Sequence, residues 1–303
     1  MKKLTTLLFI VLIAFNGFSQ EEDQEEKSVI QEYTPSILLK KGQWDIKWFN
    51  NLYTETRATF NGNEADIPRN TFFTSTLDIF TGISESNRVN IGLLLEFRSN
   101  VVGGRNALDV FSFDGEFGSA RSGFTSIAPA IKFNPIKSVS NFTIQTALQI
   151  PLVDNESEDF IFDQNGNQLN NGVFLDQNGF ILQNRFFYDY SFGNGDWQLF
   201  TELNTEYNFG DDNDSFANDS LRLTPGLFLS YFPSSKFTVL ALVQHSQLID
   251  INNDFSQDFT AVGGGFKYQL TKELNVETLY TNFVRGNDTG LGQTFNIGLR
   301  ALF

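Results

Sequence analysis

The chain has no cysteine, one methionine and one histidine in 303 residues. Without cysteine there is no disulfide, no thiolate metal site, no cysteine nucleophile and no lipid-modified N-terminal cysteine. The lone histidine, His245, is the only candidate of its type for acid–base chemistry. Basic residues are scarce too: 21 Lys and Arg stand against 36 Asp and Glu, for a net charge of −15. A nucleic-acid partner requires a basic field, so none is expected. Beyond residue 19 no apolar run approaches the roughly 20 residues of a membrane-spanning helix. What is abundant is phenylalanine, with 34 copies in a chain that is 41% hydrophobic.

The first residues read as an export address. Lys2 and Lys3 precede the apolar run LTTLLFIVLIAF (4–15), followed by NGFSQ with small residues Gly17 and Ser19. A basic start, a short hydrophobic stretch and a small-residue site make a signal peptide over 1–19, removed after Ser19. The run is too short for a spanning anchor. Residues 20–41, QEEDQEEKSVIQEYTPSILLKK, open charged and patternless, and predict a flexible segment. That leaves 42–303 as the folded unit.

From Gly42 onward the period is two. In WQLFTELNTEYNF, Trp197, Leu199, Leu203, Tyr207 and Phe209 alternate with Gln198, Glu202, Asn204 and Glu206. Twelve such segments are expected: 43–57, 70–83, 88–102, 124–134, 141–153, 180–192, 196–209, 220–232, 236–249, 258–270, 273–285 and 291–303. Most are longer than the 5–6 residues usual for soluble strands, and match the ~9–11 that a tilted strand needs to cross a bilayer. The connections 84–87, 135–140, 193–195, 233–235 and 271–272 are short. The gaps 58–69, 103–123, 154–179, 210–219, 250–257 and 286–290 are longer, and the two kinds alternate. A secreted β-sandwich also alternates apolar and polar residues, but with shorter strands and no two-sided loop asymmetry. The expectation is therefore an all-β fold: a transmembrane antiparallel up-and-down barrel of about 12 strands, with tight periplasmic turns and long outer loops. Its partner is then outer-membrane lipid, and its place the outer membrane of a Gram-negative bacterium.

The end of the chain, FNIGLRALF, sets Phe295, Ile297, Leu299, Ala301 and Phe303 on alternate positions. This segment resembles the C-terminal signal that the barrel-assembly machinery reads, through polar Asn296, Gly298, small apolar Ala301 and terminal Phe303. Ala301 stands where a larger hydrophobe is usual. The whole chain, including the FSQ cleavage site, is similar to outer-membrane barrels of Bacteroidota. TPSILLKKGQWDIKWFNNLYTET (34–56), with the length and strand count, resembles twelve-stranded transporters tied to phenol meta-pathway degradation. The resemblance implies uptake of a small solute and supplies no residue-level motif.

Sorting strand residues by face gives an interior with both signs of charge. Lys47, Arg98, Lys132, Arg185, Arg222, Lys267, Arg285 and Arg300 are the basic candidates. Asp45, Glu55, Asp78, Glu96, Asp189, Glu202, Glu206 and Glu277 are the acidic ones. A basic side chain facing lipid at the midplane costs about 2–4 kcal/mol, which forces these groups inward. They either set a transverse field in a water-filled pore or pair to fill a narrow barrel, helped by the inward aromatics Phe49, Phe72, Phe200, Phe228 and Phe283. Both readings stay open. The long gaps carry acids: Asp154, Glu156, Glu158 and Asp159 in one, Asp211, Asp212 and Asp214 in another, forming an acidic outer rim that raises local cation concentration.

DQNGNQ (163–168) has oxygen donors at alternate positions, but Gly166 is misplaced for a calcium loop and no glutamate closes it. Asn165-Gly166 and Asn178-Gly179 suit hairpin turns instead. No metal and no cofactor are expected. An enzyme is not expected either. The outer-membrane phospholipase places serine two residues after its histidine, whereas Ser246 adjoins His245 here and points to the opposite face. The chain reads as a channel or passive uptake barrel for small solutes. The alternatives are a structural or surface-interaction barrel with a filled lumen and, last, a lipid-modifying enzyme.

Overall fold

The computed structural model describes residues 35–113, 119–153, 161–162, 168–169, 175, 179–210, 217–252 and 255–303. The chain forms β1 (Trp44–Phe60), β2 (Asn63–Gly82), β3 (Val89–Val101), β4 (Ala120–Phe133), β5 (Phe142–Pro151), β6 (Ile161–Phe162) and β7 (Gln168–Leu169). It continues through β8 (Ile181–Phe192), β9 (Trp197–Asn208), β10 (Ser220–Ser234), β11 (Phe237–Asp250), β12 (Gln257–Gln269), β13 (Leu274–Asn287) and β14 (Gly290–Leu302). All but β6 and β7 join one closed barrel of 12 antiparallel strands, each paired to the next barrel strand along the chain, with β5 beside β8 and β14 closing onto β1. The seam between β14 and β1 runs from Asp45 opposite Leu302 to Ala58 opposite Gly290, and Trp44 and Phe303 exchange backbone hydrogen bonds at its end. Closure leaves no strand edge unpaired, the condition for sheet in hydrocarbon. We call the end where β1 begins and β14 finishes the lower end.

The outer wall is apolar. Trp48, Leu93, Ile131, Leu203, Leu227, Leu229, Val243, Val262, Phe266 and Ile297 are all exposed on it. Near its lower end Tyr190, Phe192, Trp197 and Tyr231 form a run of ring contacts across β8, β9 and β10. Such an aromatic girdle bounds the lipid-facing band of an outer-membrane barrel. Near the upper end, a 3-10 turn (Ala107–Phe111) folds back against the outside of the wall. Val110 is buried there with Phe73, Val101 and Ala120, and Ser99 donates to the Val110 carbonyl at 2.7 Å.

Two connections expected to be long are tight. β1 and β2 continue as a ribbon above the wall, with Arg57 opposite Asp66 and Thr59 opposite Glu64. They turn through Asn61 and Gly62, both with φ in the left-handed region, as a two-residue hairpin requires. β13 and β14 likewise meet across two residues, with Asp288 at positive φ. In the ribbon neither face meets lipid, so the apolar alternation that marks a membrane strand disappears while the pairing continues. β6 pairs with β7 antiparallel; the turn expected at Asn165-Gly166 lies outside the described residues. The hairpin expected at Asn178-Gly179, like the signal peptide, falls largely outside the described residues.

Candidate functional site

The register sorts the barrel's side chains into two walls, because cross-strand partners share a face and successive residues alternate. Lys47 opposes Asp78, Asn90 opposes Lys132, Lys132 opposes Gln145 and Gln145 opposes Arg185. Glu206 opposes Arg222, Lys267 opposes Glu277 and Lys47 opposes Arg300. These groups, with Glu96, Arg98 and Glu202, line the interior.

Most interior charges are paired. Arg300 grips Asp45 with Nε and Nη2, each at 2.7 Å. Arg185 Nε donates to Glu202 at 2.6 Å, and Lys267 Nζ lies 2.6 Å from Glu277. Arg98 Nε donates to Glu96 at 2.8 Å, and Thr125 donates to the same oxygen at 2.7 Å. Thr125 reaches it because β4 bulges where Glu96 opposes Ser126 and Phe97 opposes Phe124. Glu206 accepts from Gln183 and Asn204 at 2.9 Å each and lies 3.7 Å from Arg222. Pairing of this kind offsets the desolvation that a narrow interior imposes on each charge.

Rings and aliphatic side chains fill the space between. Phe187 is 1% and Phe80 3% exposed. Phe187 stacks with Phe200 at 5.9 Å, and Phe200 meets Phe228 at 5.5 Å. Higher up, Tyr53, Phe283 and Phe259 form a second column, the last two stacked at 4.2 Å. Leu240, Leu242 and Leu248 of β11 are buried on the inner face. Gly92 makes room for Phe80: a Cβ there would lie 2.4 Å from the ring. Leu175, from the connection between β5 and β8, is also buried and sits against the hydrogen-only side of Gly123, beside Val153.

The lower mouth is crossed by residues 35–41. Lys41 bridges to Gly82, and Gly42 N donates to the Gly82 carbonyl at 2.9 Å. A Cβ on Gly82 would overlap the Lys40 carbonyl oxygen at 2.1 Å, so only glycine allows this approach. On the far side Ser36 is fully buried; its hydroxyl donates to Asp189, and Thr143 donates to its carbonyl.

Arg285 is not on the expected face. Ala261 opposes Phe283 while Thr260 opposes Arg285, so Val284 is an extra residue that reverses the alternation. Arg285 shares the outer face with Thr260 and pairs with Asp258 at the upper rim, its side chain 61% exposed. His245 is also on the outer face, its Nδ1 3.0 Å from Thr260 Oγ1, whereas Ser246 faces inward against Thr224 at 3.1 Å. The two side chains therefore make no catalytic pair. Of the terminal residues, Asn296 faces in and accepts from Asn51, Gly298 lies inward against Phe49, Ala301 is buried, and Phe303 is exposed. Asp154, Glu156, Glu158, Asp159, Asp211, Asp212 and Asp214 lie outside the described residues.

Comparison with known proteins turns on this shape. The fold is that of an outer-membrane barrel. The chain is similar to an outer membrane channel of Pseudomonas putida F1, at 13% identity and a TM-score of 0.62, covering 93% of this chain and 100% of that one. It is also similar to the β domain of the Bordetella autotransporter BrkA, at 13% identity and a TM-score of 0.55, covering 86% and 99%. No protein-family model matches the chain, and no curated protein matches it. At such identities the likeness concerns fold, so the inner wall alone carries any statement about cargo.

Sequence reasoning missed Phe80 and Phe187, because residue type alone does not tell an inward ring from a lipid-facing one. It also left out Asn90 and Gln145, which carry no charge. The strap at 35–41 gave no periodic signal.

Proposed function

We propose that the protein is a passive channel for small solutes in the outer membrane of a Gram-negative bacterium. The observation that carries this reading is the inverted barrel: an apolar belt outside, and inside a wall of ionised groups from ten strands. Ionised side chains within a membrane segment are costly and mark solute pathways more often than structure. The likeness in fold to a Pseudomonas putida F1 channel supports it. The lower end is then periplasmic, and Asn296, Gly298, Ala301 and Phe303 form the signal for the assembly machinery. Cleavage after Ser19 and kinship with Bacteroidota barrels belong to the same proposal.

A second reading, a structural barrel, is favoured by the burial of Phe80, Phe187 and Leu248 inside. Planar-bilayer recording separates the two. A channel gives stepwise ohmic conductance, smaller than that of a general porin because rings and the 35–41 strap narrow it. Correctly inserted protein that never conducts, even with the strap residues removed, supports the filled barrel.

A further inference from the structure

Among the described residues, orphaned polar atoms occur on the inner wall at Asn204 and Thr238, and two more fall together in one row. Asn90, Lys132, Gln145 and Arg185 are consecutive cross-strand partners on β3, β4, β5 and β8. Asn90 is 1%, Gln145 2% and Lys132 8% exposed. Among the described residues, Asn90 Oδ1 and Gln145 Nε2 have no hydrogen-bond partner. Lys132 stands against rings instead of gripping a carboxylate: its ammonium lies 4.3 Å from the Phe80 centroid and 5.9 Å from that of Phe187. Asp45, Glu96, Glu202 and Glu277 of this wall are each held by a basic side chain instead. Buried polar atoms without partners are rare and call for an explanation.

The strap lies directly below this row. It is fixed to β2 at Gly82 and to β5 and β8 at Ser36, and the strands between are β3 and β4, which carry Asn90 and Lys132. Three strand spacings of about 4.8 Å are within reach of five residues extended at about 3.3 Å each. The strap therefore covers the row from the periplasmic side.

We propose that Lys132 and Gln145, flanked by the Phe80 and Phe187 rings, form a binding station for a small organic carboxylate, preferably one bearing a ring, and that the 35–41 strap covers it until solute passes. Lys132 Nζ and Gln145 Nε2 are adjacent donors able to share the two oxygens of one carboxylate. The rings supply an apolar flank, and a carboxylate gives the two donors the partner that they lack. This reading rests on the channel function, whose failure is seen separately.

Calorimetric titration of the full-length protein in detergent tests it, with benzoate as probe and benzamide as its neutral match. The proteins are the wild type, Ser36→Glu, which sets a second carboxylate beside Asp189 and unseats the strap, and Ser36→Glu combined with Lys132→Met or Gln145→Leu. Gly82→Val is a second way to unseat the strap should Ser36→Glu not fold. Benzoate should bind the strap-released protein at least tenfold more tightly than the wild type, and Lys132→Met or Gln145→Leu should each remove at least tenfold. Benzamide should bind at least tenfold more weakly than benzoate. Equal binding of benzoate and benzamide, no effect of Lys132→Met, or no benzoate binding after strap release overturns the station. Conductance without benzoate binding removes the station alone; binding without conductance in any variant removes the channel.

Discussion

Arg300 and Asp45 meet across the seam that closes the barrel, two guanidinium nitrogens on two carboxylate oxygens at 2.7 Å each. Both side chains are mostly buried, at 16% and 8% exposure. Removing one partner of a buried pair strands the other charge and costs about 3–5 kcal/mol. Arg300→Met should therefore lower the urea midpoint of the folded barrel in detergent, read by heat-modifiable gel migration. Adding Asp45→Asn to Arg300→Met should recover part of the loss.

Arg285 should behave oppositely. Its pair with Asp258 lies at the rim and is largely exposed, and such pairs contribute about 0–1 kcal/mol. Arg285→Ala should leave the urea midpoint nearly unchanged, whereas Arg185→Ala, which uncouples Glu202 inside, should lower it clearly. Equal effects would place Arg285 in the interior after all.

Leu227 faces out from the middle of β10 and Phe228 faces in. Leu227→Arg should cost about 2–4 kcal/mol, the penalty for a basic side chain at the bilayer midplane. Reversible folding into lipid vesicles measures it.

Gly92 is fixed by the Phe80 ring opposite it. Gly92→Val should cost about 1–3 kcal/mol by overpacking. Combining it with Phe80→Ala should recover part of that loss, since a Cβ there also meets the Ile79 carbonyl oxygen at 2.7 Å; urea unfolding in detergent measures both.

The fold was legible because lipid enforces alternation. A residue such as Leu227 or Ile297 on the outer wall meets lipid, so period two survives along most of each crossing. Legibility ended where that pressure ended. The Arg57–Asp66 ribbon is strand without membrane, so it read as a loop. The bulge at Val284 is set by a local slip in pairing with β12 that no side-chain pattern announces, and it turned Arg285 outward. The inner wall was legible through its charges and through Phe49, Phe72, Phe200, Phe228 and Phe283, but not beyond them. Phe80 and Leu240 point inward yet look lipid-facing in isolation, and the contact of Ser36 with Thr143 joins residues more than a hundred positions apart.

The central claim is the sorting of the two walls, and the absence of native cysteine makes it directly measurable. Single cysteines introduced at 224–231 of β10 and labelled with a fluorophore report lipid contact through quenching by brominated acyl chains in reconstituted vesicles. Quenching should alternate, strong at Pro225, Leu227 and Leu229 and weak at Thr224, Gly226 and Phe228. Uniform quenching along the strand, or none at any position, would contradict a barrel with its apolar wall in hydrocarbon.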